Sequence, residues 1–166
     1  MGIGRLIARL ARQVFKKEIA KVHTHLPAKI VSYTPETNLV SIQPCINQFR
    51  TEDPDNPETI QLPVIEDVPV HQLGSGLVLA TCAPIAGSYG VFHVCEREIN
   101  TWITQGGIVD PASSRKFDIS DGFFVPGLWP LIDPIVDPIR TDRVELRTRV
   151  GSSYVAVLDT GAIEIS

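Results

Sequence analysis

His23 and His25 bracket a single threonine, and an extended backbone would turn both imidazoles to one face. Three copies of such a pair around an axis would offer six nitrogens to one metal ion. No carboxylate or third ligand lies beside the pair to orient it, so it reads as a solvated linker, and no metal is expected. His71 and His93 stand singly in strand-like runs and read as core or surface histidines. Asp118 and Asp121 flank Ile119-Ser120, and paired carboxylates are what glycoside hydrolysis uses. The same residue types at this spacing also cap turns, with Asp and Ser oxygens accepting backbone N–H bonds, and that is the reading favoured. Neither a P-loop nor G-x-S-x-G, Cys-x-x-Cys or H-E-x-x-H occurs. The expectation is a protein without catalytic residues, enzymatic turnover or cofactor.

Cys45, Cys82 and Cys95 are an odd number in apolar runs. They are expected as buried free thiols, which suits assembly in a reducing cytoplasm. The charge distribution is uneven. Residues 1–25 carry Arg5, Arg9, Arg12, Lys16, Lys17 and Lys21 against Glu18 alone, a balance of +5. The remainder carries nine basic residues against eighteen acidic ones, a balance of −9. So acidic a body disfavours nucleic acid as a partner, because phosphate contacts supply much of such affinity. No apolar run is long enough for a transmembrane helix, and the arginines near the N-terminus argue against a secretory leader.

Four segments must position whatever these residues do. Residues 1–25 hold an amphipathic helix over 3–22, with Ile3, Leu6, Ile7, Leu10 and Val14 at three- and four-residue spacings. This face is expected to dock on a neighbouring protein or on its sister helices; the alternative is a membrane surface. Residues 26–126 show strand signals at 28–33, 39–46, 64–73, 77–82 and 89–95, with a solvated loop at 51–58 and a short helix or strand at 98–105. Five main strands with one helical connection predict a mainly β fold built on a small OB-type barrel. Residues 127–142, including PGLWPLIDPIVDP, form an apolar proline-rich linker that should pack on the barrel or a neighbouring subunit.

From Arg143 to Ser166, period-two alternation is broken twice at glycine turns, which predicts three short strands. Val144, Leu146, Val155, Val157, Ile163 and Ile165 line their apolar face. Strands this short need a partner layer. Copies of the same chain around a threefold axis would supply it and make a homotrimeric β-helix or β-prism shaft.

Read in order, LPAKIVSYTPETNLVSIQPCI (26–46), VIEDVPVHQLGSG (64–76), GSYGVFHVCEREINTWITQGG (87–107) and RKFDISDGFFVPGL (115–128) resemble the N-terminal barrel family of central spike proteins from contractile-tailed phages. The shared features are a strand-turn-strand, Val68-Pro69-Val70, Arg97 ahead of Trp102, and Asp118-Ile119-Ser120-Asp121. The resemblance implies an OB barrel, a homotrimer, attachment to a tail hub, a C-terminal β-helical spike, and a place at the virion's baseplate tip in transient contact with the host outer membrane. The family's Gly-Asp ahead of the fifth strand is Gly87-Ser88 here, and the family's His-X-His near the C-terminus is missing. A separate small protein is therefore expected to form the point. The alternatives are an OB module binding carbohydrate or nucleic acid, and a tail-associated wall hydrolase.

Overall fold

The computed structural model describes residues 3–19, 21–50 and 56–166. The chain divides into two units, residues 1–128 and 129–166.

In the first unit, α1 (Ile3–Ile19) follows the sequence periodicity. The helix ends three residues before the expected limit, and the chain leaves it through N–H bonds from Lys21 to Glu18 O and from Val22 to Ile19 O. Strands β1 (His25–Thr34) and β2 (Leu39–Pro44) form a hairpin, with Asn38 at φ 55° in its turn. Two short strands follow, β3 (Gln48–Phe49) and β4 (Thr59–Ile60), which pair only with each other. The loop expected at 51–58 falls largely between them, and its residues 51–55 lie outside the described residues. Next come β5 (Ile65–Pro69), the hairpin β6 (Leu73–Ser75) and β7 (Val78–Ala80), then β8 (Tyr89–Val94), α2 (Asn100–Gln105) and β9 (Gly122–Pro126).

Five strands make the main sheet, in the order β5-β2-β1-β8-β9. The sheet curls until its edges meet. A parallel bridge joins Val70 to Phe124, and the His71 N–H donates to Phe124 O at 2.8 Å. The result is a mainly β, barrel-like fold. Inside it, Ala28, Ile30, Val40, Ile42, Ile65, Val68, Val70, Phe92 and Phe124 form one core. Alternation dictates this: Val40, Ile42 and Pro44 of β2 point inward while their neighbours are half-exposed. Gly90 and Gly122 let the two phenylalanines lie flat. A Cβ on Gly90 would meet Phe124 Cζ at 2.4 Å, and one on Gly122 would meet Phe92 Cε2 at 2.5 Å.

Two expectations need correction. The strand expected at 77–82 is not a barrel strand, because Val78–Ala80 pairs only with Leu73–Ser75 in a separate hairpin. The fifth barrel strand is Gly122–Pro126, inside the aromatic run KFDISDGFFV. The cysteines also differ from expectation: Cys45 and Cys82 are exposed and Cys95 is half-buried, all as free thiols. Cys45 follows the end of β2, and Cys82 lies past the end of β7, so neither sits inside a strand of the barrel core.

In the second unit, β10 (Arg143–Arg147), β11 (Tyr154–Leu158) and β12 (Ile163–Ile165) form an antiparallel three-stranded sheet. Gly151 (φ 68°) and Gly161 (φ 83°) make the intervening turns in the left-handed region that glycine enters freely. The proline-rich residues from Trp129 onward group with this sheet.

Candidate oligomerisation and docking surfaces

Register builds the first surface. Val144 pairs with Val157, which pairs with Ile163, and Leu146 pairs with Val155, which pairs with Ile165. Alternation sends all six side chains to one face of the sheet, in two rows of three. All six are exposed, from 46% at Val155 to 79% at Ile165.

The opposite face of the same sheet carries the charges. Arg143, Glu145 and Arg147 alternate along β10, and the row Glu145–Ala156–Glu164 crosses its middle. Arg143 Nη1 donates to Glu164 at 2.7 Å and its Nη2 to Asp142 at 2.9 Å. The hydrogen bonding from Arg143 is the main cause that holds the Asp142 carboxyl below its ordinary pKa. Arg147 Nη1 donates to Asp137 at 2.9 Å, and its Nε lies 3.1 Å from Glu145 Oε1. That last contact is an ion pair out of line for a hydrogen bond, so buried Glu145 Oε1 has no hydrogen-bond partner among the described residues. The linker supplies Asp133, Asp137 and Asp142 and part of the cover. Arg149 pairs with Asp133 and stacks over Trp129 with its guanidinium 4.5 Å from the ring centre, and Arg140 lies 5.0 Å from that of Tyr154. Apart from Glu145 Oε1, which has only its ion pair with Arg147, the charged face finds its partners within the chain, while the apolar face is left exposed.

Helix α1 is the second surface. Ile3, Ile7, Leu10 and Val14 are 52–78% exposed, and Phe15 and Ile19 extend the apolar sector. The side chain of Leu6, expected on this face, lies outside the described residues. Arg5, Arg9, Arg12 and Lys16 line a groove on the other side.

The residues with chemical potential are spent on structure. Asp118 Oδ1 accepts the Ser120 N–H at 2.9 Å and the Ser120 hydroxyl at 2.7 Å, closing the turn before β9. Those two bonds, side chain first, lower its pKa. Asp121 is buried and takes a two-pronged hydrogen bond from Arg115, both contacts at 3.2 Å. Glu98 escaped the sequence reading. Its buried carboxylate accepts N–H bonds from Asn100 (2.6 Å), Thr101 (3.3 Å) and Ala112 (2.9 Å), and the Thr101 hydroxyl at 3.3 Å. It starts α2 and ties down the loop that follows. The Ala112 bond is the largest cause of its lowered pKa. An acid just ahead of an Asn-Thr-Trp helix start was the available signal.

His25 belongs to a strand and not to the expected linker, and His23 precedes it. Strand β1 begins at His25, and the His23 N–H is held by Phe117 O at 3.1 Å. His71 and His93 are not single either. His93 meets His25 edge-on at 4.5 Å and stacks on Phe123 at 5.0 Å, while His71 lies 6.3 Å from Phe123. Burial first, then the neighbouring His25 and His71, lowers the pKa of His93. No group of three or more His, Cys, Asp or Glu among the described residues is placed to hold a metal ion.

Residues 26–127 match a family model described as the phage protein Gp138 N-terminal domain. No curated protein matches the chain.

Proposed function

Because the chain belongs to the phage protein Gp138 N-terminal domain family and is thereby a phage structural protein of the baseplate type, we propose that it is the trimeric central spike of a contractile tail, a mechanical part without turnover. The observation that carries this reading is the grid of six exposed apolar side chains on β10–β12. Each is worth about 1.5–3 kcal/mol when fully buried. Six per chain can offset an association cost of roughly 4–15 kcal/mol. Three such sheets facing a common axis form a closed prism with the grids inside and the charged faces outside. In the first unit, the strand order β5-β2-β1-β8-β9 with parallel closure supports an OB-type barrel.

In this arrangement α1 docks the spike onto the hub or tail tube protein, and the shaft transmits force into the host outer membrane. Asp118 and Asp121 are occupied by a turn and by Arg115, which favours a structural part over a wall hydrolase. Native mass spectrometry of the full chain tests the assembly. Three chains are expected, falling to weak or absent association after truncation at Asp142. A stable single chain, or a dimer, would overturn the proposal.

A further inference from the structure

The β6–β7 hairpin spans LGSGLVLA, without a single charge. It turns at Gly76, φ 55°, and presents Leu77, Val78 and Leu79 at 104%, 77% and 60% exposure. Its base is fixed rather than loose. The Gln72 side chain accepts the Cys82 N–H at 3.1 Å, donates to Cys82 O at 3.4 Å, and donates to Asn38 Oδ1 at 3.3 Å. Asn38 in turn donates to Val70 O at 2.8 Å. One amide therefore closes both ends of the hairpin and fastens them to the β1–β2 turn. An apolar tip held out on a braced stem marks an interaction site, since soluble chains seldom leave such patches uncovered.

The same unit carries a matching hollow. A cleft of about 490 Å³ opens between the end of β5, α2 and β9, lined chiefly by Pro69, Val70, His71, Ile99, Trp102 and Phe123. Trp102 is 54% exposed there. Cys95 also lines it, and the chain's own hairpin tip does not.

We propose that the hairpin tip of one copy inserts into the β5–α2–β9 cleft of the next copy. The inference rests on the trimeric reading above. Apolar tip and apolar cleft on one chain make copies complementary to each other, and such a head-to-tail contact forms a closed ring when the rotation closes, here after three copies. Three side chains bury far less than the 1,200–2,000 Å² or so of a stable interface. The contact therefore sets how the barrels sit around the axis, while the β10–β12 grid supplies most of the association.

Disulfide trapping tests it. The full-length chain carries Leu77→Cys with Cys45→Ser and Cys82→Ser, so that Cys95 in the cleft is the only other thiol. Mild oxidation followed by a non-reducing denaturing gel should give covalent dimers and trimers, and Val78→Cys in place of Leu77→Cys should do the same. The ladder should vanish when Cys95→Ser is added; a ladder that persists comes from contact between tips and overturns the cleft assignment. Single chains on the gel from a sample that native mass spectrometry finds trimeric overturn the contact and leave the trimer standing, with the tip free for another protein. A sample already single-chained in solution overturns both.

Discussion

Phe92 and Phe124 stand directly opposite each other across β8 and β9, and each ring lies where the Cβ of a neighbouring glycine's substitute would fall. Phe124 covers Gly90, and Phe92 covers Gly122. Both phenylalanines are fully buried, so neither ring has space to retreat. Gly90→Ala should therefore cost about 1–3 kcal/mol through overpacking. Chemical denaturation should show a lower midpoint with an unchanged slope. An unaltered midpoint would mean that the core is looser than its contacts indicate.

Acid should act on the barrel through Glu98 and His93. Both are depressed on folding, so the unfolded chain binds more protons in the window below the ordinary pKa. Stability is then full above that window and lost as pH falls through the folded pKa. His93 contributes first, as pH drops below 6.5, and Glu98 below 4.5. Glu98→Gln should lower the melting temperature at neutral pH and flatten the decline below pH 4.5. Melting curves from pH 3 to 8 decide it, and a decline as steep as the parent's would sink the assignment.

Alternation and turn residues made most of the framework legible. The apolar periodicity of β1, β2 and β10–β12 follows from one buried or apolar face per strand, and the Thr34–Asn38 turn from its residue types. Leu77–Cys82 misled because it is as apolar as a core strand, yet it pairs only with Leu73–Ser75. Periodicity reports that a face seeks cover; it cannot say whether the cover lies within the chain. Gly122–Pro126 was hidden for the converse reason, since its glycine and proline weaken the strand signal while ring packing over Gly122 fixes it. The Glu98–Ala112 bond depends on how the loop after α2 folds back, and the meeting of His25, His71 and His93 beside Phe123 brings together residues distant in sequence, which the curled sheet does.

Asp121→Asn should weaken the fold without removing any chemistry. The substitution turns a two-pronged, charge-assisted bond with Arg115 into a neutral one and leaves polar atoms poorly matched in a buried place. A loss of about 1–3 kcal/mol follows. Thermal unfolding measures it, and Asp118→Asn should do less because its turn is exposed. Clearing of cell-wall substrate by the parent protein, abolished by either change, would contradict a non-enzymatic spike.

Val157 occupies the middle of the row Val144–Val157–Ile163. Val157→Asp would place a carboxylate in the centre of the grid, three copies of it around the axis. Like charges brought together away from water cannot all remain ionised, and each must either take up a proton or stay solvated. The proposed trimer should fall apart into single chains whose barrel still shows its native near-ultraviolet circular dichroism. Sedimentation at neutral pH reads the association state, and partial recovery of trimers near pH 4 would carry the signature of the introduced acid. A variant that remains trimeric at neutral pH would place the threefold contact elsewhere.

Leu10→Glu separates docking from folding. Leu10 lies between Ile7 and Val14 on a helix face that no part of the described chain buries, so a charge there removes no intrachain packing. Glutamate is a good helix former, which keeps α1 intact in the variant. A partner that buries this face would instead have to desolvate a carboxylate, a cost well beyond that of losing one leucine contact. The purified variant should therefore melt within about 0.5 kcal/mol of the parent, as expected for an exposed position away from special contacts. Its incorporation into tails, scored by immunodetection on purified particles, should fall at least tenfold. Normal incorporation combined with lost binding to anionic liposomes would transfer the helix from the hub to a membrane surface.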